Sequence, residues 1–189
     1  AIVPQVKTRT VLHEAPASKL VEAKISIAHQ SPYAVRVRVG VSSGALANFA
    51  PSNYILYDME IQAGETYETR TMYYANGQSL VVYSDHELTS FLVHGEVLDN
   101  PVGSGFLNSL LLTNARTNTS IYTVPTGEDV ELSIFISNQS SQPSRFRIGI
   151  LEDGQASLQT SNYINYNTKL HPRTFYQRTD IKATGDQQI

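Results

Sequence analysis

Ser52-Asn53-Tyr54-Ile55-Leu56-Tyr57 returns 109 positions later as Ser161-Asn162-Tyr163-Ile164-Asn165-Tyr166. The same shift holds upstream without a gap. It carries Pro16 to Pro125, Glu22 to Glu131, Ile25 to Ile134, Ile27 to Ile136 and Gln30-Ser31 to Gln139-Ser140. Arg36, Arg38 and Gly40 fall on Arg145, Arg147 and Gly149, and downstream Tyr67 falls on Tyr176. A register kept over that distance marks one module written twice, and an internal repeat decides the architecture before any local reading does. Near the end, placing Gly77 on Gly185 asks for a one-residue deletion, which sets Ile189 on Val81.

The periodicity within each copy is that of strands. Val21, Ala23, Ile25 and Ile27 alternate with Glu22, Lys24 and Ser26, and Val130, Leu132, Ile134 and Ile136 alternate in the second copy. Period two with one apolar side indicates a strand with one buried face. A polar turn follows, His29-Gln30-Ser31-Pro32 in one copy and Asn138-Gln139-Ser140-Ser141 in the other. Val35-Arg36-Val37-Arg38-Val39-Gly40-Val41 and Ser144-Arg145-Phe146-Arg147-Ile148-Gly149-Ile150 alternate again. Two such runs across a short polar turn predict a hairpin.

Lys7–Glu14 and Asn118–Val124 are opening strands closed by Pro turns, and Glu65–Tyr73 is a further strand. Asn76-Gly77 is a two-residue hairpin turn, since both residues accept positive φ. Leu80–Ser84 and Ser90–Gly95 close the first copy. About seven or eight short strands per copy, with no sustained helical period, predict an all-β chain. The expected fold is two tandem antiparallel β-sandwich units, jelly-roll-like, at residues 1–97 and 106–189. Asn100-Pro101 and Gly103-Ser104-Gly105 mark residues 98–105 as a linker.

The second copy is short. Counterparts of Val82-Tyr83-Ser84 and Phe91-Leu92-Val93 are missing from it. Three readings stand side by side: the natural chain continues past Ile189, a neighbouring subunit completes the edge by strand addition, or the second unit is a smaller sandwich.

The chain has 189 residues, no Cys and a formal net charge of −3. Disulfides and thiolate metal sites are therefore excluded, and the charge does not suit nucleic-acid binding. No apolar run approaches the roughly 20 residues of a membrane-spanning helix. The start, Ala1-Ile2-Val3-Pro4, lacks the pattern of a signal peptide. Charged residues make up 16%, with 11 Tyr and no Trp, a surface suited to contacts made by shape and hydrogen bonds.

Nothing in the sequence resembles a catalytic constellation, so neither enzyme activity nor a cofactor is expected. The five His are His13, His29, His86, His94 and His171, none at metal-ligand spacing. Asp85-His86-Glu87 reads as a solvated turn, because adjacent strand residues point to opposite faces. His29 takes the slot of Asn138 and reads as a turn residue. Arg36, Arg38, Arg145 and Arg147 are the candidate partner contacts, able to fork onto carboxylates, glycans or another subunit. The plainer reading pairs them with Glu22 and Glu131 on the neighbouring strand. The recurring Tyr54, Tyr57 and Tyr67, with Tyr163, Tyr166 and Tyr176, read as fold anchors rather than as a sugar platform.

Several of these motifs occur together: Tyr122-Thr123-Val124-Pro125-Thr126-Gly127, Ser137-Asn138-Gln139-Ser140, Arg145-Phe146-Arg147-Ile148-Gly149 and Val82-Tyr83-Ser84. In this order they resemble a β-sandwich module of tailed-bacteriophage virion proteins, notably of marine and cyanobacterial phages. The resemblance implies a non-enzymatic structural part of the virion: tail, baseplate, fibre or capsid decoration. It implies contact with other virion proteins, homo-oligomerisation and location in the particle. A carbohydrate- or receptor-binding module touching host-surface glycan is the alternative.

Overall fold

The computed structural model describes residues 1–44, 46–99, 105, 107–112 and 116–189. The chain is all-β, with twelve strands and three single-turn 3-10 segments among the described residues. It divides into two compact units, Ala1–Leu107 and Asn108–Ile189. Two linker residues of the sequence reading, Leu98 and Asp99, continue a strand, and residues 100–104 lie outside the described set.

Unit one contains β1 (Thr10–Glu14), β2 (Lys19–His29), β3 (Val35–Ser42), β4 (Tyr54–Ile61), β5 (Thr66–Glu68), β6 (Met72–Ala75), β7 (Ser79–Ser84) and β8 (Thr89–Asp99). One antiparallel sheet has the order β1-β7-β3-β4. The other is built on β2. β8 pairs with β2 from Lys19 to His29, and β5 and β6 divide the remaining edge.

Both sheets bury alternate residues. β2 contributes Val21, Ala23, Ile25 and Ile27, and β3 contributes Val35, Val37, Val39 and Val41. Each is a β-branched or small apolar residue that fits a pleated buried face. The predicted hairpin of β2 and β3 does not form, because the two strands belong to different sheets. Gln30–Ala34 carries the chain from one sheet to the other. Alternation states that a strand has one buried face but not which strand lies beside it, so the sequence pattern suited a crossover as well as a hairpin.

The expected strand Glu65–Tyr73 is interrupted. Thr69 leaves the ladder to bond Ile25 twice, its Oγ1 accepting from Ile25 N at 2.9 Å and its own N donating to Ile25 O. β5 and β6 flank that break.

Unit two contains β9 (Asp129–Ser137), β10 (Ser144–Gly149), β11 (Tyr163–Leu170) and β12 (Phe175–Thr184). β9 pairs with β12, and β10 pairs with β11, both antiparallel. β12 matches β5 and β6 run together, with a bulge that leaves Asp180 at φ 60°. Its core is Val124, Ile134, Ile148, Ile181, Ala183 and Ile189. In place of the expected strand at Asn118–Val124 stands a bridge from Thr123 to Gln188, flanked by backbone bonds of Tyr122 with Ile189 and of Val124 with Gln187.

The repeat runs to the last residue without the deletion expected near Gly185. The side chain of Gln78 accepts from Ala75 N at 2.8 Å, and that of Gln187 accepts from Thr184 N at 2.8 Å. Gly77 N bonds Ala15 O as Asp186 N bonds Val124 O. These pairs all keep the shift of 109, so Asp186 replaces Gly77 and Ile189 answers to Leu80. Asp186 takes φ 66°, a conformation Asp tolerates better than most residues, which is why a Gly match was a misleading anchor.

Candidate interaction face

The Tyr-Ile strand begins with a 3-10 turn, Pro51–Asn53 in unit one and Thr160–Asn162 in unit two. The Asn side chain holds the turn by accepting from the backbone N three residues earlier, Ala50 or Gln159, at 2.7 Å in both. The carbonyl of that Asn then lies over the Gly of the facing strand. A Cβ on Gly40 would meet Asn53 O and Phe49 Cζ at 2.5 Å, and one on Gly149 would meet Leu158 Cδ2 at 3.0 Å and Asn162 O at 3.2 Å. Close approach of backbone is what the repeated glycine provides.

Further along, β4 carries a bulge. The register slips between Val37 and Val39, and Asp58 takes φ 48°. The bulge accompanies the meeting of Asp58 with Arg38, whose Nε donates to Asp58 Oδ1 at 2.5 Å. The Arg38 guanidinium lies 4.4 Å from the Tyr57 ring centre, 4.5 Å from Tyr83 and 5.7 Å from Tyr54. Burial alone would lower the Arg38 pKa. The hydrogen bonds to Asp58 and Tyr54, and the charges of Asp58 and Tyr57, outweigh it and hold the guanidinium above its ordinary value. Tyr54 is buried with Phe49 and Val81 in a small second cluster, and its hydroxyl accepts from Arg9 Nε at 3.1 Å.

Unit two repeats half of this arrangement. Arg147 lies 4.4 Å from the Tyr166 centre and 5.8 Å from Tyr163. The Tyr163 and Tyr166 rings stand 5.2 Å apart, edge to face, as Tyr54 and Tyr57 do. Asn167 occupies the position of Asp58, again at positive φ, so Arg147 meets no carboxylate among the described residues. It is exposed, and Tyr166 is 58% exposed.

The four arginines therefore differ. Arg38 is locked within unit one. The exposed Arg36 donates its backbone N to Asp85. Arg145 reaches the backbone carbonyl of Asn167 at 3.0 Å. Arg147 alone stacks at the surface without a carboxylate. The expected pairing with Glu22 and Glu131 fails because those residues lie on β2 and β9, in sheets that do not contain β3 and β10. Glu22 stands opposite Tyr73 and Glu96 instead.

His29 corrects another expectation. It ends β2 and is 2% exposed, with Nδ1 at 3.1 Å from Thr89 Oγ1 and Nε2 against Tyr33 O. Asn138 does the same work, donating to Gln142 O at 2.8 Å. Both side chains pin the same loop carbonyl, a role that the residue types alone did not reveal.

One polar group escaped the sequence reading. Ser26, Glu68 and His94 come together from β2, β5 and β8, with Ser26 Oγ and Glu68 Oε2 both 3.3 Å from His94 Nε2. Two partners on one ring nitrogen do not form a relay in which a carboxylate orients the ring while its other nitrogen takes the serine proton. Among the described residues no three His, Asp or Glu side chains converge as a metal site would require. In comparisons with known proteins, no family model, no curated protein and no solved structure matches this chain.

Proposed function

We propose that this chain is a non-enzymatic structural protein of a tailed-bacteriophage virion. On this reading it is built from two β-sandwich units of jelly-roll-like form and acts through contacts with other virion proteins and with further copies of itself. The observation that carries the reading is what the repeat preserves. Gly40/Gly149, Asn53/Asn162, Gln78/Gln187 and the His29/Asn138 pair all hold backbone to backbone. A chain that doubles its framework suits a building block. The sandwich itself is supported by the alternate burial of both sheets and by the bond from Tyr74 on β6 to His13 on β1, 2.8 Å long.

Immunogold electron microscopy of purified phage particles tests the reading, with antibody raised against residues 1–97. Label on the head assigns a decoration role, and label on the tail or its tip assigns a tail role. No label on any particle overturns the proposal. A carbohydrate- or receptor-binding module is the second reading, favoured by the exposed Tyr166 ring beside Arg147. It requires saturable glycan binding that Tyr166→Ala removes.

A further inference from the structure

The two copies of the module diverge in opposite senses at two cross-strand positions. On β3 and β4, Arg36 stands opposite Glu60, and the same positions on β10 and β11 carry Arg145 opposite Lys169. A carboxylate in one copy is a cation in the other. Asn167 takes the place of a second carboxylate, Asp58. This face of unit two therefore holds Arg145, Arg147 and Lys169, all exposed. No carboxylate among the described residues forms an ion pair with any of the three.

The other sheet shows the reverse. On β9 and β12, Glu131 stands opposite Lys182, whereas the same positions on β2 and β6 carry Glu22 opposite Tyr73. Across the other edge of β2 stands a second acid, Glu96 on β8. The neighbouring cationic groups are engaged elsewhere. Lys24 Nζ lies 3.9 Å from Glu68 Oε1, His94 Nε2 lies 3.3 Å from Glu68 Oε2, and Lys19 Nζ lies 2.7 Å from Asp99 Oδ1. Glu22 is half-buried and Glu96 exposed, and neither forms an ion pair among the described residues. Like charges directly opposite on one sheet face cost stability. The chain carries one such pair of each sign.

We propose that the Arg145–Lys169 pair of one copy seats on the Glu22–Glu96 pair of another copy, joining the outer face of β10 and β11 to the outer face of β2 and β8. The inference rests on the reading that the chain makes contacts with further copies of itself. Charge complementarity selects the occupant. Each pair spans directly opposed residues of antiparallel strands, whose Cβ atoms lie about 5 Å apart, so two cations meet two carboxylates at matched spacing. The Arg145 guanidinium can fork onto one of them. Apolar surface lies beside both pairs. Leu92, Leu98 and Tyr73 share the outer face with Glu22 and Glu96, and Tyr166 stands beside Arg147. Burying such surface supplies affinity that exposed ion pairs alone lack.

Sedimentation equilibrium of the full chain tests this over a concentration series, at low and at high salt. The expected result is concentration-dependent self-association that weakens in high salt. Arg145→Glu with Lys169→Glu leaves both faces acidic, and Glu22→Lys with Glu96→Lys leaves both basic. Each double variant alone associates about tenfold more weakly. Mixed in equal amounts, the two recover association, because each reversed face is complementary to a face of the other variant. A folding defect does not give recovery on mixing, and a thermal unfolding scan checks each variant. Glu96→Gln and Lys169→Gln, single changes at exposed positions, repeat the test without altering Glu22 and weaken association by a smaller factor. A chain that stays monomeric at every concentration, association indifferent to these residues, or folded double variants that do not recover on mixing overturns the inference. Such failure with gold label on the particle removes this surface and leaves the virion reading. Charge-dependent association with no label removes the virion reading and leaves the surface.

Discussion

Gly40 and Gly149 hold equivalent places and face different neighbours, which separates their substitutions. A Cβ at Gly40 meets a backbone carbonyl and the Phe49 ring at 2.5 Å, neither free to move. Gly40→Ala therefore destabilises unit one by about 1–3 kcal/mol, the usual cost of overpacking. At Gly149 the nearest atom is the end of the Leu158 side chain, at 3.0 Å, and the same change costs less. Urea unfolding of the two variants checks the order. Asn167 stands where Asp58 grips Arg38, and both take positive φ. Asn167→Asp sets a carboxylate beside Arg147 and stabilises unit two by up to about 1 kcal/mol, the range of an exposed ion pair, with the gain lost in high salt. Tyr74 gives a pH dependence. Burial raises its pKa above the ordinary tyrosine value, and Tyr67 and Tyr83 shift the same way for the same first reason. Above about pH 10 the unfolded chain releases these protons while the folded chain keeps them, so stability is full below that pH and falls as pH rises through the window. Tyr74→Phe flattens the alkaline decline in a pH series of unfolding midpoints.

At the scale of elements, the Gln turns are interchangeable parts. Each Gln side chain satisfies one backbone donor at 2.8 Å in its own turn. Gln78→Ala and Gln187→Ala each lose about 1 kcal/mol, a typical net hydrogen bond, by urea unfolding. β9 differs more from its counterpart. β2 has neighbours along both edges, whereas β9 pairs only with β12 among the described residues. Amides of β9 and β10 therefore exchange faster than those of β2 and β3, measured by hydrogen exchange on the full chain, because opening them breaks fewer ladders. The existence and spacing of these strands were legible, since period two is set by the backbone itself. Their partners were not. The hairpin expected of β2 and β3 failed because the turn residues His29 to Ala34 carry no signal that distinguishes a reversal within a sheet from a step to another. The break at Thr69 was equally hidden, since a threonine that leaves the ladder looks like one that belongs to it.

At the scale of the molecule, the two units have cores of different quality. Ile25 and Leu80 are wholly buried in unit one, while their counterparts Ile134 and Ile189 keep 9% and 8% exposure. Unit two therefore unfolds at the lower urea concentration. Its transition carries the smaller dependence on urea, because that slope follows the surface exposed on unfolding. Far-ultraviolet circular dichroism across a urea series checks this, with hydrogen exchange assigning each step. The candidate site was half legible. The sequence singled out Arg36, Arg38, Arg145 and Arg147 as a set, because they recur with the same alternation. It could not separate them. Asp58 reaches Arg38 through a bulge, and Tyr83 reaches it from a strand far along the chain. Neither contact leaves a mark in local periodicity.

The sequence by itself determined that the chain is all-β, that it is one module written twice, and that Arg, Gly, Asn and Tyr recur at fixed places within it. Those properties follow from alternation and from a constant shift, which are one-dimensional. Tertiary structure alone decided which strands are neighbours, which arginine is held half-buried against a carboxylate and which stands open on a tyrosine. Those depend on long-range pairing, where the free energy of a contact is set by residues that alternation and spacing do not bring together.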